Sequence, residues 1–215
     1  MRGVYIMFPI NQPLVPQYLL PHFGVMKDVF VEEEIQRIQF FEKILDFKPG
    51  ETVGQMMGED QSEDRIARKV KKALMPIDQN TQWLWDKVSH ITGKANYDLF
   101  LYDITSLENL EYLIYTNDDE GPDFYTTHRD VLTRGHNRYD RKISGIIMLS
   151  NRDEYKGGEI LIDLAGNHDK TKWQKVEMNR GDVCFFDSMF LHSVEPVTEG
   201  KRQVLVFWAH GKNKL

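Results

Sequence analysis

The chain carries a single cysteine in 215 residues, Cys184, so an intramolecular disulfide is excluded and a reducing compartment is compatible. Cys184 sits inside the apolar run Val183–Phe186 and reads as a buried strand residue rather than a nucleophile. Long apolar runs are missing too. Residues 1–23 come nearest, but prolines at 9, 13, 16 and 21 and the pair Asn11-Gln12 break them up. A signal peptide needs an unbroken apolar segment, and a membrane span needs about 20 such residues. The expectation is a soluble, cytoplasmic chain with no membrane partner. An excess of basic charge is also absent: the net charge of −6 has the wrong sign for a general nucleic-acid binder, and no nucleic-acid partner is expected. No repeat, low-complexity tract or flexible linker interrupts the sequence. At 41% hydrophobic residues the chain can still bury a full core.

The organisation changes along the chain. From Phe30 to about His90 the periodicity is helical. Ile35, Ile38, Phe41, Ile44 and Leu45 recur at three- and four-residue steps within Val31–Phe47, which Pro49-Gly50 stops. Gly54–Ser62 reads as a loop, Ser62–Leu74 as a second helix ending before Pro76, and Trp83–Val88 as part of a third. After Gly93 the pattern turns to strands: Tyr97–Thr105, Glu108–Thr116, Lys142–Ser150, Glu159–Leu164, Asp182–Asp187 and Gln203–His210. Turn signals such as Gly157-Gly158, Gly166-Asn167, Arg180-Gly181 and Glu199-Gly200 separate them. Many short strands predict a mainly β fold, a jelly roll, with the N-terminal helices buttressing it. The expected division is a supporting segment at 1–93 packed with a core at 94–215, one structural unit overall.

Four residues carry the chemistry. His128 and Asp130 are two apart, so on extended backbone, which Thr126-Thr127 favours, they aim an imidazole and a carboxylate at one point. His192 follows a later apolar strand and can reach that point from a neighbour. Two histidines and one carboxylate occupy one face of an Fe(II) octahedron and leave three positions free, two for a chelating 2-oxo acid and one for dioxygen. Arg202 suits the distal carboxylate of such an acid, because guanidinium and carboxylate pair through two parallel bonds. Tyr115 could add a hydrogen bond. Weaker readings stand beside this one. An H-x-D triplet arises often by chance, and Arg202 after Gly200-Lys201 also fits a solvated turn. His128-Arg129-Asp130 matches a protein-kinase catalytic loop, yet Asn137 is at the wrong spacing and no DFG or glycine-rich loop exists.

Tyr115, the stretch Gly121–Asp130, the strand Lys142–Leu149, the glycines at 157 and 158, Gly181–Ser188, the segment His192–Arg202 and Trp208 resemble, in that order, the 2-oxoglutarate/Fe(II)-dependent oxygenases of the prolyl 4-hydroxylase-like group. Arg65, Trp83-Leu84-Trp85 and Ala95-Asn96 resemble the PKHD-type hydroxylases within that group. The resemblance implies a double-stranded β-helix with His128, Asp130 and His192 as metal ligands. It further implies Arg202 on oxoglutarate with Tyr115 assisting, and Ile146 and Ile160 as apolar walls of the cofactor pocket. Fe(II), 2-oxoglutarate and dioxygen would be the cofactors, ascorbate the reductant, and succinate and carbon dioxide the co-products. Three departures bear on the pocket. The stretch from Tyr115 to His128 is longer than usual, Val204 stands where some relatives place a serine, and Met148 where some place a tyrosine.

The implied substrate is an amino-acid side chain, foremost peptidyl proline, in a peptide or protein, with a small molecule as the other possibility. The loop 131–141, with Arg134, His136, Arg138 and Arg141, reads either as a lid over a peptide or as a solvated basic loop. Two further readings stay open. A cupin-like metalloenzyme would use the triad without oxoglutarate, and a non-catalytic jelly-roll module would use neither the triad nor Arg202. The sequence leaves the oligomeric state open.

Overall fold

A computed structural model describes residues 20–50, 67–131 and 139–212. In chain order its elements begin with β1 (Phe23–Met26), α1 (Glu32–Phe40), β2 (Lys48–Pro49), β3 (Arg68–Lys69), β4 (Lys71–Leu74) and α2 (Gln82–Ala95). Then come β5 (Ile104–Leu107), β6 (Glu111–Tyr115), β7 (Asn117–Asp118), β8 (Gly121–His128) and β9 (Tyr139–Met148). The series closes with β10 (Tyr155–Gly157), β11 (Ile160–Ile162), β12 (Gln174–Lys175), β13 (Val183–Asp187), β14 (His192–Gly200) and β15 (Arg202–Lys212).

Two antiparallel sheets result. The first runs β1-β13-β9-β15-β6-β4-β2, with β5 also on β15, and the second runs β12-β11-β14-β8-β3, with β10 on β14 and β7 on β8. Side-chain alternation explains how they stack. On β6, Tyr112 and Ile114 join one buried cluster with Ile35, Ile38, Leu84 and Val88 of the helices, while Leu113 and Tyr115 join a second cluster with Ile160, Ile162 and Val194 of the other sheet. On β13, Val183 and Phe185 face the helices and Cys184 and Phe186 face the second sheet. The first sheet is therefore covered on both faces, which is why Val183–Phe186 is apolar throughout. Cys184 is fully buried, as expected. This is the double-stranded β-helix, with helices against one outer face.

The helices follow their apolar spacing. α2 buries Leu84, Val88, Ile91, Thr92 and Ala95. α1 buries Ile35 and Ile38 and places Glu32, Glu33 and Glu34 in its first turn, where the exposed amides favour negative charge.

Several local expectations are corrected. The helix over Ser62–Leu74 is not formed where it is described: Arg68–Lys69 and Lys71–Leu74 are strands. Backbone pairing with β8 and β6 captures these residues, and only Ala73 of β4 is buried. Residues 62–66, the loop at Gly54–Ser62 and Arg65 lie outside the described residues. The first helix stops at Phe40, and Pro49 sits in a strand rather than ending a helix. The strand expected from Tyr97 starts only at Ile104, because a π turn over Asn96–Phe100 continues α2. The Asn96 side chain bonds both the N–H and the carbonyl of Tyr102 and closes that turn. The sequence pattern does not mark β1, β2, β7, β10, β12 or β14, and it marks β8 only as extended backbone at Thr126-Thr127. No described helix is long and apolar enough to cross a membrane.

Candidate metal and cofactor site

The two histidines meet because their strands pair. His128 ends β8 and His192 begins β14, and the two are direct cross-strand partners. Asp130 lies two residues past the end of β8, and its N–H donates to the Ser188 carbonyl at 3.0 Å. One Asp130 oxygen lies 3.5 Å from His128 Nε2 and the other 3.5 Å from His192 Nε2. One ligand atom from each of the three falls within 4.8 Å of the others, the only such group of metal-ligating side chains among the described residues.

Neighbouring groups settle which nitrogen faces inward. His128 Nδ1 lies 2.8 Å from the Thr126 carbonyl, and His192 Nδ1 lies 3.0 Å from the Phe190 carbonyl. A carbonyl only accepts, so each Nδ1 carries a proton and each Nε2 is the nitrogen that faces the common point. Tyr125 stacks on the His128 ring with centroids 3.5 Å apart, and Phe186 meets His192 edge-on. Burial acts to raise the Asp130 carboxyl. His192, His128 and the Ser144 hydroxyl outweigh it and hold the group well below the usual carboxylate range. Burial, reinforced by His128, pulls His192 down to about 4 against the pull of Asp130, so the imidazole is neutral at pH 7. Two inward-facing imidazole nitrogens with a carboxylate are the donor set a divalent metal takes.

The triad opens into a cavity of about 120 Å³ whose walls include Tyr115, Ile146, Ile160, Ser144, Phe186 and Trp208. Tyr115, Ile146 and Ile160, expected beside the cofactor, thus line this cavity. The extra length before His128 is taken up by a hairpin in which Asn117 pairs with Pro122 and Asp118 with Gly121. Tyr115 consequently keeps its place opposite Arg202 in the β6–β15 register. Val204 is a buried core residue, and Met148 receives the Tyr155 hydroxyl on its sulfur at 3.9 Å.

Arg202 does not line the cavity itself. Its guanidinium carbon lies 5.2 Å from the centre of the Tyr115 ring, and the residue is 1% exposed. None of its three guanidinium nitrogens has a hydrogen-bond partner. A buried cation left this way costs several kcal/mol until an anion joins it. It is the orphaned polar group expected where a dianionic oxo acid belongs, so the residues present fit 2-oxoglutarate as well as the metal.

The sequence reading missed several groups at the site. Ser144 donates to Asp130 at 2.7 Å and lies 2.9 Å from the Ser188 hydroxyl. Period-two alternation along Lys142–Leu149 puts Ser144 on the same face as Ile146 and could have found it. Tyr125, Arg68, Lys72 and Glu111 also line the cavity, and no local signal marks them. Within the basic segment 131–141, residues 132–138 lie outside the described residues. Arg141 belongs to β9, where it holds Glu108 through two bonds and lies 3.7 Å over the Trp208 ring.

Comparison with known proteins agrees with this geometry. Residues 110–210 match the model of the 2OG-Fe(II) oxygenase superfamily. A PKHD-type hydroxylase of Rippkaea orientalis is 29% identical over 143 residues, which cover 65% of this chain and 61% of the relative. A PKHD-type hydroxylase of Cupriavidus metallidurans is 35% identical over 101 residues, 44% of this chain and 42% of that one. The chain thus spans about three fifths or less of these curated relatives. Among solved structures, a prolyl-4-hydroxylase of Pseudomonas putida superposes with a TM-score of 0.64 at 16% identity, covering 89% of this chain and 94% of that one. A Trichoplax adhaerens prolyl hydroxylase in complex with a peptide fragment of hypoxia inducible factor gives a TM-score of 0.66 at 18% identity, covering 88% and 83%. The similarity to both structures is one of fold.

Proposed function

Because residues 110–210 match the model of the 2OG-Fe(II) oxygenase superfamily, we propose that the protein is an Fe(II)- and 2-oxoglutarate-dependent dioxygenase hydroxylating an amino-acid side chain, foremost peptidyl proline. The observation that carries this reading is the buried guanidinium of Arg202, without a hydrogen-bond partner and set over the ring of Tyr115, which lines the cavity of the triad. An oxoglutarate-independent metalloenzyme has no use for that cation, and a binding module has none for the inward-facing imidazoles.

His128 and His192 hold the metal through Nε2, with the Thr126 and Phe190 carbonyls fixing their rings, and Asp130 supplies the carboxylate. Arg202 pairs with the distal carboxylate of 2-oxoglutarate. Burial pushes the Tyr115 hydroxyl up against the pull of Arg68 and Arg202, so it stays protonated and can donate to the same carboxylate. Ile146 and Ile160 wall the cofactor and exclude water. Bound Fe(II) with 2-oxoglutarate and dioxygen supplies the oxidising chemistry, giving succinate, carbon dioxide and an alcohol on the substrate. Ascorbate would serve as the reductant. A peptide is the favoured substrate, supported by the peptide held in the Trichoplax prolyl hydroxylase complex, and the described residues on either side of position 93 act as one structural unit.

The test is succinate release from purified protein given Fe(II), 2-oxoglutarate and ascorbate under air, alone and with proline-containing peptides. The wild type forms succinate and Asp130→Ala forms none. A chelator abolishes turnover and Fe(II) restores it. Equal succinate from both proteins would refute the assignment of Asp130.

A further inference from the structure

The turn 187–190, between β13 and β14, touches two of the three ligand residues without lining the cavity. The Ser188 carbonyl accepts from the Asp130 N–H at 3.0 Å, and the Ser188 hydroxyl lies 2.9 Å from that of Ser144, which donates to Asp130. The Phe190 carbonyl accepts from His192 Nδ1 at 3.0 Å. The Met189 carbonyl accepts from Arg129 Nε at 2.8 Å, on the residue between His128 and Asp130.

Asp187 sets the shape of this turn. One of its carboxylate oxygens accepts from the Met189 N–H at 2.8 Å, and its carbonyl accepts from the Phe190 N–H at 2.9 Å. The other carboxylate oxygen takes a short hydrogen bond from the Tyr102 hydroxyl. The Asp187 N–H donates to the His22 carbonyl at 3.0 Å, and His22 Nδ1 lies 3.2 Å from the Tyr102 oxygen. Tyr102 is itself fixed by its two backbone bonds with the Asn96 side chain, one accepted and one donated, and by stacking on Phe100. Burial and the bond to Asp187 push its hydroxyl well above the ordinary tyrosine range, so it remains a donor.

We propose that Tyr102 and Asp187, braced by the backbone of His22, are positioning residues for the metal site. They hold the 187–190 turn so that Asp130 and His192 face one point. The inference rests on the triad being a metal centre. Neither side chain lines the cavity, so the effect runs through Ser188 and Phe190. It ties the residue before β1 and the segment that follows α2 to a site lined by strands of both sheets. Groups that orient metal ligands change metal affinity roughly 10- to 100-fold when removed, and an indirect brace acts at the lower end of that range.

The experiment is anaerobic titration with Co(II), whose ligand-field bands report coordination geometry, on wild type, Tyr102→Phe, Asp187→Ala and Asp187→Asn well below their melting temperatures. Tyr102→Phe and Asp187→Ala bind Co(II) about tenfold more weakly, with shifted bands. Asp187→Asn keeps an oxygen for the Met189 N–H and an amide for the Tyr102 oxygen, and it recovers most of the affinity. Wild-type affinity and bands in Tyr102→Phe, whatever its melting temperature, overturn the inference alone. A wild type that binds no Co(II) overturns the metal reading, and this inference with it.

Discussion

Arg202 separates stability from function at a single position. Its guanidinium is buried and unpaired, so the ligand-free protein carries a desolvation cost that the cofactor relieves. Replacing it with a similarly long apolar side chain removes that cost. Arg202→Met should therefore leave the ligand-free protein as stable as wild type or more stable, by about 1–3 kcal/mol in chemical denaturation. The same variant should raise the KM for 2-oxoglutarate roughly 100-fold. A large loss of stability would mean that the arginine has a structural partner instead. The residue-scale chemistry was the most legible part of the sequence, because an H-x-D pair, a distant histidine and a following arginine are each marked by residue type. Ser144 and Tyr125 were not so marked. A serine and a tyrosine in strands have many uses, and only the assembled cavity shows theirs.

At the scale of elements, the strands with strong apolar patterns were legible and their boundaries less so. Val183–Asp187 and the strands of the β9–β15 pair stand near their expected positions because both faces are buried. β14 was missed because Glu195, Pro196 and Glu199 give it a polar outer face and hide its pattern. The helix expected at 62–74 failed where described, because pairing with β6 and β8 overrode local propensity. One position tests the packing of these elements. Gly145 lies opposite Phe207 across the β9–β15 pair, and a Cβ there would sit 2.1 Å from the Phe207 ring. Gly145→Val should cost about 3 kcal/mol or more and displace Phe207 from its edge contact with Phe185. Wild-type stability in thermal unfolding would show that the ring moves aside freely. Gly158, at φ +64°, similarly leaves room for Arg202, whose Cδ would lie 2.7 Å from an added Cβ. Gly158→Ala should weaken oxoglutarate binding about tenfold while Co(II) affinity stays at the wild-type value.

The whole molecule joins its N-terminal part to the β-helix through polar as well as apolar contacts. Asp182 is buried and accepts bonds from Lys27 at 2.9 Å, the Asp28 N–H at 3.0 Å and the Asn179 N–H at 2.7 Å. Burial raises its carboxyl, but these donors outweigh it and the net shift is downward. A carboxyl lowered on folding stabilises the native state above its unfolded value near ~4, and that contribution is lost as the pH falls through the folded value. The stability gap between wild type and Asp182→Asn should be widest at neutral pH and narrow below about pH 4. A gap independent of pH would contradict it. The site has the same whole-molecule origin: β8, β14 and β15 each bring one part, and no single segment could form it. Anaerobic addition of Fe(II) and 2-oxoglutarate, read by the metal-to-ligand charge-transfer band, tests that assembly most directly. The account predicts a band in wild type, none in Asp130→Ala, and one in Arg202→Met only at far higher oxoglutarate. Folded wild-type protein that gives no band with both present would contradict it.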